Sequence, residues 1–253
     1  MTGSRGLTNV YHITYEPSYH VLGLHFWGCN LDCRGCYKNY DIYDLSLGEK
    51  SLDQLAQSQK AEPPTSFLTV DEVMAKIAGL EVKRAIFMGK EAALDPLMPA
   101  LAAAVHGDTS SFNILLSNGL KLADLDHIDE VTFSFKAFSD EVHRQYTGIS
   151  NRQILENFKA IYKSGKQLQA EIAFIPDLVE NEQIEALARF IASIDKNLLF
   201  RITSYFAVPG APWLSASRRD VERAASLAEK YLNNVTFVTA DMKSDKWNPR
   251  RIF

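Results

Sequence analysis

Residues 21–38 read VLGLHFWGCNLDCRGCYK. Val21 to Trp27 is an apolar run of strand length, and Gly28 closes it. Cys29, Cys33 and Cys36 follow at once in a loop, spaced C-x3-C-x2-C. They are the only 3 cysteines in a chain of 253 residues. An odd, clustered set is poor material for a disulfide framework and points to metal or redox chemistry. Three thiolates can ligate three irons of a cubane cluster. The fourth iron then keeps an open position, which catalysis at a metal requires. Gly28 and Gly35 permit the tight turns of such a loop. The competing reading is structural zinc, with His20 or His25 as a fourth ligand. Structural zinc usually draws its cysteines from two separated pairs, and no second pair exists here.

Beyond the loop, Tyr37 to Ser66 is polar without clear periodicity and reads as an extended loop. Thr69 and Glu72 frame a capping box for a helix running to about Leu80. Strands are expected at Arg84–Met88, Phe112–Leu116, Glu130–Phe135, Leu168–Ile175, Leu198–Ser204 and Val235–Thr239. Between them, Pro96–Val105, Glu182–Ile194 and Ser217–Leu232 carry helical patterns. Asn151 is placed to cap another helix, with Ile154, Leu155, Phe158, Ile161 and Tyr162 on one face and Gly165 as its terminator. Strands alternating with helices imply right-handed βαβ units and a parallel sheet, hence an α/β fold. Seven strands fall one short of a closed eight-stranded barrel, so an open, partial barrel is expected. The pattern reads as a single domain over 1–253. Residues 1–20 form an N-terminal extension, 21–240 the barrel and 241–253 a tail that docks or frays. Ligands of such sheets bind at the carboxyl ends of the strands. The cysteine loop, Gly89, Ser117-Asn118-Gly119, Lys136, Pro176 and the Tyr205–Pro212 loop all fall there.

The chain has 27 basic and 31 acidic residues, a net charge of −4, which does not recommend nucleic acid as a partner. No apolar run is long enough to cross a bilayer, so no membrane association is expected. The segment MTGSRGLTNVYHITYEP lacks the apolar stretch of a signal peptide, and a reducing, cytoplasmic setting follows. His12, His20, His25, His127 and His143 show no paired metal spacing and read as structural or surface residues.

The cysteine motif after a first strand resembles the signature of the radical S-adenosylmethionine superfamily. Within it, GCNLDCRGCYK is similar to the activases of glycyl radical enzymes. Gly35-Cys36-Tyr37 resembles the anaerobic ribonucleotide reductase activase. The length, and Lys136 with Asp140-Glu141-Val142-His143-Arg144, Tyr146-Thr147-Gly148 and Ile154-Leu155-Glu156-Asn157, are more similar to the pyruvate formate-lyase activating enzyme. Pro176 falls where that family has a V/I-P turn. The likeness runs loosely from Val21 to Trp213. It implies an open, partial (β/α)6 TIM-like barrel with a [4Fe-4S] cluster on Cys29, Cys33 and Cys36. S-adenosylmethionine would chelate the fourth iron, and its reductive cleavage would give a 5′-deoxyadenosyl radical. That radical would take a hydrogen atom from a substrate, in an activase a glycine of a partner protein. Flavodoxin or ferredoxin is the implied electron donor, and the exposed iron implies oxygen sensitivity and anaerobic chemistry.

The resemblance also assigns residues. Met88-Gly89-Lys90-Glu91 stands where the superfamily has G-G-E, so Gly89 and Glu91 would meet the methionine ammonium. Lys90 replaces the second glycine. Ser117-Asn118-Gly119 resembles T-N-G, and Ser117 and Asn118 would bond the carboxylate or ribose. Lys136 resembles the lysine of D-x-K and would attract the cofactor carboxylate, but Ser134 replaces the aspartate of any cation site. Tyr37 would pack near the adenine, and Tyr40 and Tyr43 extend that aromatic cluster. Glu171 stands where the activases tend to carry arginine, and Phe206 near a frequent histidine. No cysteine remains for a second cluster, and no length for a cobalamin domain. Two other readings stay open: radical modification of another protein residue or a small metabolite, and a non-enzymatic iron–sulfur electron carrier or zinc scaffold.

Overall fold

The computed structural model describes residues 6–242 and 247–253. Nine strands form one sheet: β1 Val10–Glu16, β2 Val21–Phe26, β3 Arg84–Gly89, β4 Phe112–Ser117, β5 Glu130–Phe135, β6 Gln167–Phe174, β7 Leu199–Ser204, β8 Asn234–Val238 and β9 Arg250–Arg251. Their spatial order is β8-β7-β6-β5-β4-β3-β2-β1-β9. From β2 to β8 every neighbour is parallel and consecutive. The seven strands read from the sequence are these. The sheet is open, as a partial barrel requires.

Seven helices connect or flank them: α1 Leu52–Ala56, α2 Val70–Ile77, α3 Met98–Thr109, α4 Asp140–Thr147, α5 Arg152–Lys163, α6 Asn181–Ala192 and α7 Arg218–Ala228. The Thr69/Glu72 capping box is formed, and Ser217/Asp220 does the same for α7. Along β6, Leu168, Ala170, Ile172 and Phe174 are buried, while Gln169, Glu171 and Ala173 face the barrel interior and are half-buried. On the outer face, Phe133 and Phe135 of β5 meet Phe158 of α5, each with ring centroids 5.1 Å away. Truncating one such ring to alanine costs about 3–5 kcal/mol. The core therefore lies between sheet and helices, and the inner face is left for chemistry.

Three features differ from the sequence reading. Val10–Glu16, assigned to an extension, is a wholly buried strand antiparallel to β2. Its polar residues His12, Thr14 and Glu16 lie opposite His25, Gly23 and Val21, so the strand looks half-polar in sequence and is nonetheless covered. Residues 37–66 are not loop throughout. They hold two short 3-10 turns and α1, which a Ser51/Gln54 capping box starts. Asn151 precedes α5 but makes no capping bond. Its side chain donates instead to the carbonyls of Ala137 and Phe138, just past β5. In the tail, Arg250–Arg251 pairs with β1, and residues 243–246 lie outside the described residues.

Candidate active site

The carboxyl ends of the parallel strands open on a cavity of about 910 Å³. Cys29, Cys33, Cys36, Tyr37, Gly89, Ser117, Asn118 and Lys136 all line it. That size falls within the roughly 300–1,000 Å³ of small-molecule sites.

The cysteine loop is fixed by its backbone. Gly28 takes φ +98°, a left-handed value that other residues adopt at a cost. The N–H groups of Asp32 and Arg34 donate to the carbonyls of Thr147 and Tyr146, so the end of α4 holds the loop. Gly35 passes so close to Tyr205 that a Cβ would sit 2.9 Å from its ring and 3.0 Å from the Tyr146 hydroxyl. Burial raises the Cys29 thiol and pushes Cys33 up to about 12, with the Lys136 ammonium opposing both. Such thiols are poor nucleophiles by themselves, and a bound metal is what would make thiolates of them. The donor set therefore suits metal ligation better than thiol catalysis.

The zinc reading lacks its histidine. His25 Nε2 lies 3.4 Å from Asp44 Oδ2, and His20 faces Tyr15 and Glu81 before β2. Neither lines the cavity. Among the described residues no three His, Cys, Asp or Glu side chains converge as a single ion needs. A cubane asks only one thiolate for each of three irons.

Gly89 ends β3 at φ +118°, and a Cβ there would stand 2.6 Å from the backbone N and O of Phe26. Only glycine fits that crossing. Lys90 turns away from the sheet, 4.1 Å over the Trp27 ring, and donates to Asn39 Oδ1 at 3.1 Å. Glu91 is 1% exposed and does not line the cavity. Its carboxylate accepts from Ser117 Oγ at 2.8 Å and from the Asn118 N–H at 2.7 Å. Burial raises its pKa against these donors. Asn118 Nδ2 then donates to Asn30 Oδ1 at 2.8 Å, joining the turn after β4 to the cysteine loop. Gly119 completes the turn at φ +74° against the Phe133 ring.

Lys136 Nζ donates to Ser134 Oγ at 2.8 Å from the far wall. Tyr37 packs on Phe206, with ring centroids 5.7 Å apart. Lys38 is buried, donates to the carbonyls of Ile42 and Tyr43, and is lowered to about 8 by that burial. It orders the segment after the cysteines. Sequence reasoning missed Asn30 and Tyr146 as cavity residues, whereas Tyr205 lines the cavity from the loop expected there. Asn30 lies inside the motif and Tyr146 inside a quoted stretch, so position was their only signal.

No helix among the described residues is long and apolar enough to cross a membrane. A Methanocaldococcus jannaschii protein provisionally described as a glycyl-radical enzyme activating enzyme is 27% identical over 230 residues, 87% of this chain and 81% of that one. Three solved structures share the fold. A radical SAM methyltransferase from Sphaerobacter thermophilus superposes with a TM-score of 0.62 at 14% identity, covering 94% of this chain and 72% of that one. QueE from Escherichia coli gives 0.57 at 15% identity over 91% and 92%. SuiB from Streptococcus suis, solved with S-adenosylmethionine, gives 0.57 at 14% identity over 87% of this chain. The chain spans about half the length of SuiB, 46%. Residues 24–191, more than half of the chain, match the Radical SAM superfamily. The chain belongs to the radical SAM superfamily, whose enzymes carry out radical redox chemistry with a [4Fe-4S] cluster and S-adenosylmethionine.

Proposed function

We propose that this enzyme abstracts a hydrogen atom from a glycine of a partner protein, in the manner of a glycyl radical enzyme activase. One observation carries the reading: three thiols, two strand-end turns and a lysine converge on a single cavity at the carboxyl ends of the strands. The relative of 27% identity that covers most of both chains supports the activase subgroup.

In this reading Cys29, Cys33 and Cys36 hold the cluster. When bound, cluster and S-adenosylmethionine together supply an organic radical by reductive cleavage of the sulfonium. Gly89 offers close backbone approach to the methionine end of that ligand. Ser117 and Asn118, braced from below by Glu91, present a hydroxyl and an amide. Lys136 sets a positive charge opposite the cysteine loop, where a carboxylate can meet it. Tyr37 and Phe206 form an aromatic rim beside the last cysteine and keep water from a reactive species. Cys29 is exposed, which gives an electron from a flavodoxin or ferredoxin a short way in. A second reading, a substrate other than glycine, is favoured by the polar inner wall that Ser134 and Glu171 give this cavity.

The test is anaerobic reconstitution with S-adenosylmethionine and dithionite, followed by assay for 5′-deoxyadenosine and methionine. Cleavage by the native chain and not by the Cys29→Ala, Cys33→Ala, Cys36→Ala triple variant is expected. Glycine-loop peptides labelled with deuterium then test the subgroup. Deuterium in 5′-deoxyadenosine supports the activase; cleavage with no transfer from any such peptide rejects it.

A further inference from the structure

The inner wall of the cavity farther round the barrel is made by β5, β6 and β7. Strand register places Ser134 beside Glu171, and Glu171 beside Arg201. These side chains point inward, opposite to the buried Phe135, Ile172 and Ile202 that face the helices. One level nearer the cavity mouth stand Ala173 and Thr203. Ser134, Glu171, Ala173 and Thr203 all line the cavity, while Arg201 does not. Ser134, Ala173 and Thr203 are small, so the Glu171 side chain is open to the cavity, with the Lys136 ammonium on Ser134 at the edge of this recess.

The other polar atoms of this recess are engaged. Ser134 Oγ accepts from Lys136 Nζ at 2.8 Å, and Thr203 Oγ1 donates to the Ile172 carbonyl at 3.4 Å. Glu171 is different. Its ion partner is Arg201, with Nη1 3.6 Å from Oε2, too long for a hydrogen bond. Its side chain is only 20% exposed. Asp32 is the other acidic residue on the lining, and it lies exposed on the outer loop. A carboxylate withdrawn from most of its water without strong donors is costly, and a charged donor that enters the recess offsets that cost.

Resting on the radical-enzyme reading above, we infer that Glu171 receives an organic cation of the substrate, a primary ammonium or a guanidinium, and so selects which substrate lies against the radical. Arg201 holds the carboxylate from the side and leaves its other oxygen to the ligand. The cation comes either from a lysine or arginine side chain near the reacting residue or from a free amine.

The experiment measures binding of labelled pentapeptides Ala-X-Gly-Ala-Ala, with X as Lys, Gln or Glu. It uses the reconstituted holoprotein, saturated with S-adenosylmethionine in the absence of reductant, with free pentylamine as competitor. The lysine peptide is expected to bind at least about tenfold more tightly than the glutamate peptide, as one charge-assisted hydrogen bond would give. Glu171→Gln should abolish that preference and Glu171→Lys should reverse it. Competition by pentylamine at concentrations where butanol has no effect assigns the site to free amines as well. Equal binding of the three peptides, no binding of any, or a preference that survives Glu171→Gln overturns the inference. So does a Glu171→Gln variant that loses affinity for S-adenosylmethionine and keeps its peptide preference, which would place the carboxylate on the cofactor. Deuterium transfer is read separately. Cation preference without transfer from glycine keeps the role of Glu171 and rejects the activase, and transfer without preference does the reverse.

Discussion

Glu91 Oε2 accepts the main-chain N–H of Asn118 at 2.7 Å, across the gap between the ends of β3 and β4. The other oxygen takes the Ser117 hydroxyl at 2.8 Å. One buried carboxylate thus shapes the turn that carries two proposed cofactor contacts and, through Asn118 and Asn30, touches the cysteine loop. Glu91 acts here as a positioning residue. Glu91→Gln keeps the shape but faces one donor with an NH2 group. Losing a hydrogen bond to a charged group costs about 1.5–3 kcal/mol. The expected outcome is unchanged iron content with affinity for S-adenosylmethionine weakened by about 10–100-fold, measured by equilibrium dialysis. Unaltered affinity would show that the brace is dispensable.

Two glycines at helix and strand ends separate backbone conformation from crowding. Gly148 follows α4 at φ +85°, with nothing within 4 Å of where a Cβ would stand. Gly148→Ala should cost only the left-handed penalty, about 1–2 kcal/mol. Gly119 has φ +74°, and a Cβ there would sit 1.8 Å from the Phe133 ring. Gly119→Ala must push aside a core aromatic as well, so its loss should exceed that of Gly148→Ala by at least about 1–3 kcal/mol. Urea unfolding of both variants, compared with the native chain, checks the order. Equal costs would mean that Phe133 moves freely.

The buried histidines set an acid limit. His12 is lowered to about 3, first by burial and then by the neighbouring His25, and burial also lowers His25. The two rings lie 4.7 Å apart. A base whose folded pKa lies below its unfolded value binds more protons when unfolded. Stability is therefore full above the unfolded pKa of about 6.5 and falls as pH drops from there towards about 3. One such group contributes a slope of about 1.4 kcal/mol per pH unit across that window. Urea midpoints at pH 7, 6 and 5 should decline in the native chain and decline less in His12→Asn. A flat native profile would contradict the burial of the pair.

How much was legible in the sequence follows from where each signal lives. The parallel strands announced themselves because both of their neighbours and the helices above make them apolar at alternate positions, as in β6. β1 stayed hidden because its inward residues are polar and find partners: His12 meets the Phe253 carbonyl, and Thr14 lies 3.3 Å from His25. Glu16 accepts the N–H groups of Ser18 and Tyr19 in the turn that follows. Burial of that face by pairing leaves no hydrophobic trace, and Val10, Ile13 and Tyr15 alone pack into the core. The cysteines were legible as a motif, since short spacing in one loop needs no knowledge of the fold. The placement of Glu91 beneath its turn, and of Glu171 beside Arg201, depends on contacts between separate strands that spacing along the chain does not encode.

Lys136 offers the most direct test of the proposed cofactor site. Its side chain leaves the end of β5, donates to Ser134 Oγ beside Glu171, and works against the burial of Cys29 and Cys33. No acidic side chain forms an ion pair with it among the described residues. An ammonium facing the cysteine loop can serve either the thiolates or a bound carboxylate, and Lys136→Met distinguishes these roles. If it serves the ligand carboxylate, iron content and the cluster spectrum stay as in the native protein, and affinity for S-adenosylmethionine falls about 10–100-fold, the worth of one charged hydrogen bond. S-adenosylhomocysteine, which keeps the same carboxylate, should lose affinity in parallel. If Lys136 instead stabilises thiolates, iron incorporation falls and nucleoside affinity follows only in proportion to the missing cluster. Titration of both ligands against variant protein of known iron content separates the two results.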